Sequence, residues 1–141
     1  MADGANPRSR TILVVDDDPS ICDVFEVALF REGFNIMKLL SGEKVMEMIK
    51  KESSVIDLVV LDLMLPGMGG YDILKAMQDS GYPKIPVFVI TARMLDKEAV
   101  DKIKNESNVK DFWHKPVDIK AFTQRVHEVL GTVPKKSAEK S

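Results

Sequence analysis

Three consecutive aspartates follow the first apolar run of this chain. The stretch ILVVDDDPS places Asp16, Asp17 and Asp18 directly after residues 12–15. Carboxylates held a few ångströms apart repel one another and lose hydration, which costs free energy unless a cation or bound protons relieve it. We therefore expect positive charge to be bound beside these residues. Asp18 has a structural use instead, because an aspartate directly before Pro19 is a typical helix N-cap.

Other polar residues with useful chemistry stand at the ends of later apolar runs. Asp62, Thr91 and Lys115 lie at, or just after, the ends of the runs 57–63, 86–91 and 110–114. Continuous apolar runs of this length are typical of parallel strands that are covered on both faces. The carboxyl ends of parallel strands meet at one edge of a sheet, where ligands of such folds bind. The pattern predicts one cleft that contains carboxylates, a hydroxyl and an ammonium.

The predicted cleft suits a hard cation and an anion together. It lacks a hydrolytic triad, since no serine or cysteine is paired with a positioned histidine. Mg²⁺ prefers oxygen ligands, usually one or two carboxylates with water and phosphate, so Asp17 and Asp62 are natural ligands and Asp16 can hold a coordinated water. A carboxylate can also attack phosphorus to form an aspartyl phosphate while a metal ion, a lysine and a hydroxyl neutralise charge. Asp62 is the best candidate for that nucleophile.

Alternating strands and helices must position these residues. Apolar runs predict strands at 12–15, 34–40, 57–63, 86–91 and 110–114. Helical spacing predicts helices from Asp18 to Gly33, from Ser41 onward, around 71–81, over 97–105 and over 118–130. Parallel strands need such crossovers, so we predict an α/β, doubly wound sheet with five helices on its two faces. The fourth helix, DKEAVDKIKNES, is short and highly charged, and we expect it to be mobile or differently placed.

Composition predicts one globular domain. The chain has 141 residues, of which 45% are hydrophobic and 30% charged, enough for one well-filled core. We expect the folded unit to span 11–131, between a disordered N-terminal segment, 1–10, and a disordered lysine-rich tail, 132–141. The single cysteine, Cys22, is predicted to be a small buried side chain and fits a reducing compartment.

The charge and apolar content exclude some classes of partner. The net charge is only -2, so the electrostatic footprint of a nucleic-acid binder is missing and no direct nucleic-acid contact is predicted. No run approaches the roughly 18 apolar residues of a membrane span, and the amino terminus lacks the apolar core of a signal peptide. The sequence therefore predicts a cytoplasmic protein without membrane contact.

Four short blocks resemble the signature blocks of the receiver domain of two-component response regulators. They are VVDDDP, VVLDLMLPGMGG, VIT followed by Ala92, and HKP, in that order. Each block alone is weak, but four blocks that each end a predicted strand are specific. The resemblance spans about residues 11–131. It implies a flavodoxin-like fold whose five-stranded parallel sheet has the order 2-1-3-4-5.

The resemblance implies roles for the acidic residues. Asp62 matches the phosphoacceptor, and Asp16 and Asp17 match the acidic pair of the family. A magnesium ion would be bound by Asp17, by Asp62 and by the backbone carbonyl of Met64. Two more positions match those that adjust the lifetime of the phosphoryl group in the family. They are Met64, two residues after Asp62, and Arg93, two residues after Thr91.

The resemblance also implies a switch. Thr91 matches the hydroxyl that moves toward the phosphoryl group, and Lys115 the cation that contacts it. Pro116 then implies a cis Lys115–Pro116 peptide bond, which an X-Pro linkage permits at modest cost. Phe112 matches the aromatic switch position. Phosphorylation would bias an existing equilibrium in which Thr91 moves in, Phe112 rotates inward and the surface of helix four, strand five and helix five changes.

These roles describe a signalling switch and not an enzyme, although the phosphoacceptor assists its own phosphorylation and dephosphorylation. The resemblance implies a sensor histidine kinase or a histidine phosphotransfer protein as phosphodonor and an unidentified downstream protein as target. It is compatible with a monomer or a weak dimer. A receiver-fold interaction module that works without phosphorylation remains an alternative.

Two further alternatives share the fold class. An aspartate-dependent phosphohydrolase of the haloacid dehalogenase type needs a second aspartate two places after the nucleophile, where this chain has Met64. A flavin-binding electron carrier needs a Ser/Thr/Gly-rich loop after strand one, where this chain has DDDP. The histidines offer no catalytic alternative, because His114 is predicted to point away from Lys115 to the surface and His127 to be an ordinary side chain of the last helix.

Overall fold

Five strands alternate with five helices in the computed structural model, which describes residues 10–65, 67–82 and 84–133. The elements are β1 Thr11–Val15, α1 Pro19–Arg31, β2 Asn35–Leu39, α2 Val45–Glu52, β3 Ile56–Asp62, α3 Gly70–Asp79, β4 Val87–Thr91, α4 Lys97–Lys104, β5 Val109–His114 and α5 Ile119–Leu130. Neighbouring strands are parallel and follow the order β2-β1-β3-β4-β5. This is the predicted flavodoxin-like, doubly wound sheet.

The sheet is covered on both faces because alternate side chains of each strand point to opposite sides. On one face, Leu13 and Val59 pack with the apolar residues of α2, α3 and α4. On the other face, Ile12 and Phe88 pack with the apolar residues of α1 and α5. Cys22 belongs to this second cluster and is buried as predicted; burial raises the pKa of its thiol to about 11. The three central strands, β1, β3 and β4, are almost wholly buried, which places their carboxyl ends in a fixed frame.

Aspartates begin three of the helices. Asp18 accepts a hydrogen bond from the backbone N–H of Ser20 at 2.9 Å, as its prediction as an N-cap requires. Asp96 caps α4 and Asp118 caps α5 in the same manner. Because a capping side chain satisfies an otherwise unpaired N–H of the first turn, each cap fixes where its helix begins.

Two predicted boundaries of β2 and α2 are wrong. The strand expected over 34–40 is shorter, Asn35–Leu39, and the helix expected to open at Ser41 begins only at Val45. Gly42 explains the delay, since a Cβ at this position would collide with the carbonyl oxygen of Met68. Residues 41–44 therefore form a turn that packs against Met68 in the loop after β3, and the helix begins after this turn.

The ends of the described chain are held by the body of the domain. Arg10 forms an ion pair with Asp57 at 3.8 Å, and its carbonyl accepts a hydrogen bond from the N–H of Asn35. At the other end, the N–H of Thr132 donates to the carbonyl of His127 at 3.0 Å. These contacts run one residue beyond the predicted limits of 11 and 131. Residues 1–9 and 134–141 of the two segments predicted to be disordered lie outside the described residues. In the described ranges, no helix has the length and apolar character that crossing a bilayer requires.

Candidate functional site

The predicted site residues converge at the carboxyl edge of the sheet. Asp16 and Asp17 follow β1, Asp62 is the last residue of β3, Thr91 is the last residue of β4, and Lys115 follows β5. One carboxylate oxygen from each of the three aspartates lies within 4.8 Å of the others. Residues up to 99 positions apart in sequence thus face one shallow cleft, because parallel strands end on the same side.

Lys115 links two buried carboxylates of this cleft. Its Nζ lies 2.8 Å from Oδ2 of Asp16 and 3.1 Å from Oδ2 of Asp62. Asp16 is 2% exposed and Asp62 is 4% exposed, whereas Asp17 lies open to solvent. Asp16 also accepts a hydrogen bond from the N–H of Asp18 at 2.9 Å, which fixes the orientation of its second oxygen.

The electrostatics of the cleft favour additional positive charge. Burial raises the pKa of Asp16, and the neighbouring charge of Asp62 adds to this effect, although hydrogen bonds from Lys115 and from the N–H of Asp18 oppose it. Burial alone would lower the pKa of Lys115, but its hydrogen bonds to Asp16 and Asp62 outweigh burial and raise that pKa. The ammonium therefore stays charged, and it faces three carboxylates. A cation bound here would relieve the excess negative charge.

The loop after β3 fixes the carboxylate of Asp62. The N–H of Met64 donates to Oδ1 of Asp62 at 2.9 Å, and the N–H of Leu63 donates to the carbonyl of Ile90 at 2.8 Å. The loop returns close to its own start, since a Cβ on Gly70 would lie 2.7 Å from the Cα of Leu63. One oxygen of Asp62 is thus held by the backbone and the other by Lys115.

Thr91 and Lys115 are joined through the backbone. Thr91 is fully buried, and its hydroxyl accepts a hydrogen bond from the N–H of Arg93 at 3.0 Å. The N–H of Lys115 donates to the carbonyl of Thr91 at 2.8 Å, and the Lys115–Pro116 peptide bond is cis. The ends of β4 and β5 therefore hold a fixed register at the cleft.

The rim of the cleft carries two side chains from different loops. Arg93 Nη1 lies 3.7 Å from Sδ of Met64, and 46% of the Met64 residue is exposed. Behind the site, the half-buried ring of Phe112 packs against the core cluster that includes Leu95, and it stands 5.3 Å from the exposed ring of His114. The surface position predicted for His114 is confirmed.

His127 is not the ordinary side chain that the sequence led us to expect. It is 3% exposed, and its Nε2 lies 2.8 Å from Oε1 of Glu32 while its Nδ1 lies 2.7 Å from Oγ1 of Thr132. Its ring also stacks at a tilt on Phe34, with centroids 5.0 Å apart. One signal could have identified it: His127 directly follows Val126, at the flank of the apolar stripe of α5, where a side chain is partly turned toward the core.

A group of partly buried polar residues was also missed. Glu106, two residues after the end of α4, accepts hydrogen bonds from Tyr71 and Gln78 of α3. Its partners are 35 and 28 positions away in sequence, so no local pattern reveals the pairing.

The chain matches a known protein family over most of its length. The response regulator receiver domain family covers residues 12–127. The DNA-binding response regulator MtrA of Mycolicibacterium smegmatis is 36% identical over 123 residues, which are 86% of this chain and 50% of MtrA. The transcriptional regulatory protein AfsQ1 of Streptomyces coelicolor is 30% identical over 120 residues, which are 85% of this chain and 51% of that protein. The chain thus spans about half the length of the curated relatives it matches.

Solved structures show the same fold. The signal receiver domain of a Luxo repressor protein from Vibrio parahaemolyticus superposes with a TM-score of 0.76 at 26% identity, covering 86% of this chain and 89% of that one. A CheY-like response regulator receiver domain from Methanospirillum hungatei superposes with a TM-score of 0.74 at 23% identity, covering 86% and 93% of the two chains, and this likeness concerns the fold alone. With the match over residues 12–127 and the relatives in sequence, these findings establish that the chain belongs to the response regulator receiver domain family.

Proposed function

We propose that this protein is a phosphorylation-operated signalling switch in which Asp62 accepts the phosphoryl group. The observation that carries the proposal is the position of the Asp62 carboxylate. It lies at the carboxyl edge of a receiver-family sheet, it is held by Lys115 and by the N–H of Met64, and it stands beside two further carboxylates, Asp16 and Asp17. The side-chain set thus combines a nucleophile, a cation and a site for metal in one cleft.

The transfer step is a displacement at phosphorus. An oxygen of Asp62 forms a bond to phosphorus while the bond from phosphorus to the donor breaks, which is a P–N bond in phosphohistidine and a P–O bond in acetyl phosphate. The bonding electrons leave with the donor group: the released histidine nitrogen takes up a proton, whereas acetate leaves as the carboxylate anion. Lys115 loses its contact with Asp62 Oδ2 and binds a phosphoryl oxygen, and Thr91 binds another.

The acidic cluster fits Mg²⁺ as cofactor. Asp17, Asp62 and the backbone carbonyl of Met64 would hold the ion, with Asp16 acting through a coordinated water. The bound ion would supply charge neutralisation for the phosphoryl oxygens. The donor set is entirely oxygen, and burial, with the neighbouring charge of Asp62, raises the pKa of Asp16 in spite of its hydrogen bond from Lys115. Both properties support a hard divalent cation.

The proposed output is a change of surface. Phosphorylation would draw Thr91 toward Asp62, Phe112 would turn into the space behind it, and the surface of α4, β5 and α5 would change. The phosphodonor would be a sensor histidine kinase or a histidine phosphotransfer protein, and the target would be a protein. This scheme accords with the relatives, two of which are named as a DNA-binding response regulator and a transcriptional regulatory protein. We propose no direct nucleic-acid contact for residues 11–131, and a monomer or weak dimer in solution.

Intact mass after incubation with acetyl phosphate and Mg²⁺ tests the proposal. We expect one phosphoryl adduct on the wild type, none on Asp62→Asn, and none when EDTA removes the metal. Asp79→Asn, which changes an exposed aspartate at the end of α3, is the matched control and should carry the adduct. If Mg²⁺ binds but no adduct forms on the wild type, the proposal fails and the phosphorylation-independent interaction module takes its place.

A further inference from the structure

One face of α3 is directed at a single carboxylate beyond α4. Tyr71, Lys75 and Gln78 are four and three residues apart and therefore lie on the same side of their helix. The hydroxyl of Tyr71 donates to Oε2 of Glu106 at 3.0 Å, and Nε2 of Gln78 donates to Oε1 at 2.8 Å. The ammonium of Lys75 lies 3.7 Å from Oε1. Three donors from one helix thus surround one acceptor group in the α4–β5 connection.

This group extends to the start of β5. Nε2 of Gln78 also donates to Oδ1 of Asn108 at 2.9 Å, and the carbonyl of Asn108 accepts from the N–H of Val87 in β4 at 2.8 Å. Asn108 is fully buried, and only 13% of the Glu106 side chain is exposed. The hydrogen bond from Gln78 lowers the pKa of Glu106 against the opposing effect of burial, and Tyr71 and Lys75 add to the lowering. We call Glu106, Tyr71, Lys75, Gln78 and Asn108 the Glu106 cluster.

The two ends of α4 are held very differently. Ile103, in the last turn, is the one residue of α4 that is buried, and the Glu106 cluster follows directly after it. At the other end, Lys97 and Glu98 are exposed, and Met94 in the preceding loop is 86% exposed. The side-chain hydrogen bonds at the N-terminal end, from Ala99 to Asp96 and from Lys97 to Asp101, stay within α4 and its cap, whereas packing and hydrogen bonds to α3 concentrate at the C-terminal end.

Free space lies between α4 and the start of α3. A cavity of about 280 Å³ is lined by residues of both helices, and on α4 it extends from Ala99 to Ile103. Its lining is largely apolar and includes Leu63, Tyr71, Leu95, Ala99 and Ile103. Leu63 directly follows Asp62, and Leu95 belongs to the loop that leads from Thr91 to α4, so the cavity is lined by segments that begin at these two site residues. The cavity thus gives α4 space to move, and the weaker anchoring of the N-terminal half makes it the part that can use this space.

We propose that Glu106 is the pivot of α4. The C-terminal end of the helix stays bound to α3 through the Glu106 cluster, and phosphorylation moves only the N-terminal half, together with the loop 92–96, toward the cavity. The inference rests on the proposed function, because the movement of Thr91 is its trigger. It assigns the changing part of the surface to the loop 92–96 and the first turn of α4 and excludes the α4–β5 connection. Glu106 acts here as a positioning residue.

Hydrogen exchange on the wild-type chain tests the pivot directly. Exchange is measured with Mg²⁺ alone and with Mg²⁺ plus acetyl phosphate, and intact mass gives the phosphorylated fraction of the same sample. The reporter amide of the N-terminal half is Val100, which donates to Asp96, and those of the pivot are Asn105 and Val109, which donate to Asp101 and Glu106. We expect phosphorylation to change exchange at Val100 by about threefold or more and to leave Asn105 and Val109 within about 1.5-fold. Equal changes at both ends overturn the pivot.

Glu106→Ala shows whether the cluster is responsible. We expect the phosphorylation-dependent change in exchange to spread to Asn105 and Val109 in this variant. Glu98→Ala, an exposed glutamate of the same helix, is the matched control and should keep the wild-type pattern. A purely structural role would speed exchange at 105–109 equally with and without phosphodonor, and this outcome overturns the proposal.

Two further measurements distinguish a failure of the pivot from a failure of the proposed function and from misfolding of the variant. An adduct without the pivot pattern overturns the pivot and leaves the proposed function standing, whereas no adduct on the wild type overturns both. If Glu106→Ala does not fold, as judged by circular dichroism, Tyr71→Phe removes one hydrogen bond with little change of shape. It should then produce the same spread at a smaller amplitude, and a wild-type pattern in Tyr71→Phe overturns the assignment to the cluster.

Discussion

Lys115 has two carboxylate partners in this structure, and in the proposed phosphoryl transfer a phosphoryl oxygen would replace one of them, Asp62. Its Nζ contacts Asp16 and Asp62, and only 18% of its side chain is exposed. In this state it compensates the two most buried carboxylates of the cleft. The same ammonium would bind the phosphoryl group. The contacts with Asp16 and Asp62 therefore position the ammonium, and breaking one of them costs free energy when the ammonium binds the phosphoryl group. Single-residue changes at the cleft should therefore affect stability and chemistry together.

Replacing Lys115 tests this double use. In Lys115→Met, Asp16 and Asp62 lose their cation, and we expect the free energy of unfolding at pH 7 to fall by about 2–3 kcal/mol, since breaking a buried ion pair leaves uncompensated charge. Mg²⁺ should restore part of the loss. Urea unfolding with EDTA and with Mg²⁺ measures both effects. Lys110→Met, at an exposed lysine of β5, is the control, and equal losses in the two variants would show that the cleft carboxylates do not depend on Lys115.

The raised pKa of Asp16 predicts how Mg²⁺ binding depends on pH. Folding raises this pKa, so the folded chain holds the proton to a higher pH than the unfolded chain, and stability declines as pH rises from the ordinary aspartate pKa of 3.8 to the raised pKa. Mg²⁺ binds the carboxylate form, so it should bind more weakly as pH falls through that interval. At pH 7 and about ten times its Kd, the ion should stabilise the fold by about 1.4 kcal/mol.

Thermal unfolding at several pH values with and without Mg²⁺ checks this expectation. Asp16→Asn removes the titrating group and should flatten the pH dependence of the Mg²⁺ effect. Asp18→Asn keeps a capping side chain outside the metal cluster and should retain the wild-type dependence. A wild-type Mg²⁺ effect that stays constant down to pH 4 would contradict the assignment of Asp16.

At the scale of elements, the sequence predicted the strands and helices whose position depends on interactions between near neighbours in the chain. The apolar runs located β1 and β4, and the Asp18 cap and the helical spacing located α1, because strand and helix periods depend only on near neighbours. The start of α2 escaped, since it depends on the contact of Gly42 with a loop 26 positions later. The same holds for the hydrogen bond from Tyr71 to Glu106, which attaches the C-terminal end of α4 to α3, whereas the mobility that the charge of α4 predicts stays a prediction.

The site shows the same division. The strand-end positions of Asp62, Thr91 and Lys115 followed from the sheet topology, so their convergence was predictable. The ion pairs of Lys115 with two specific carboxylates were not predictable. The distances between side chains depend on how the elements pack against one another, and the sequence pattern does not specify this packing. His127 and Glu106 were missed for this reason.

Filling the cavity under α4 tests the mobility of its N-terminal half. Ala99 lines the cavity and is half-buried, so Ala99→Leu should occupy the space and raise the free energy of unfolding by about 1 kcal/mol. The phosphoryl adduct should form as before, but the phosphorylation-dependent change in exchange at Val100 should decrease. Ala121→Leu, at an exposed position of α5, is the control for added apolar volume. An unchanged response at Val100 in Ala99→Leu would show that the helix does not move into this space.

At the scale of the whole molecule, His127 joins the two ends of the fold. It belongs to α5, its partner Glu32 directly follows α1, and the two residues are 95 positions apart. Because a carboxylate only accepts hydrogen bonds, Nε2 carries the hydrogen in this contact. Thr132 is the second partner, so the same ring holds the chain where it leaves α5. This contact lies at the amino edge of the sheet, away from the cleft with Asp62.

This distance predicts that stability and phosphorylation can be separated. In His127→Leu, Glu32 and Thr132 lose a buried partner, and we expect the free energy of unfolding to fall by about 1–3 kcal/mol, with faster exchange at the amide of Thr132. The phosphoryl adduct on Asp62 should form to the wild-type extent. His114→Leu, at the exposed histidine of β5, should change stability by less than about 0.5 kcal/mol. None of the contacts of His127 within the described part of the chain reaches the cleft. A lower adduct yield in folded His127→Leu would therefore contradict this prediction and show that the amino edge of the sheet is coupled to the cleft.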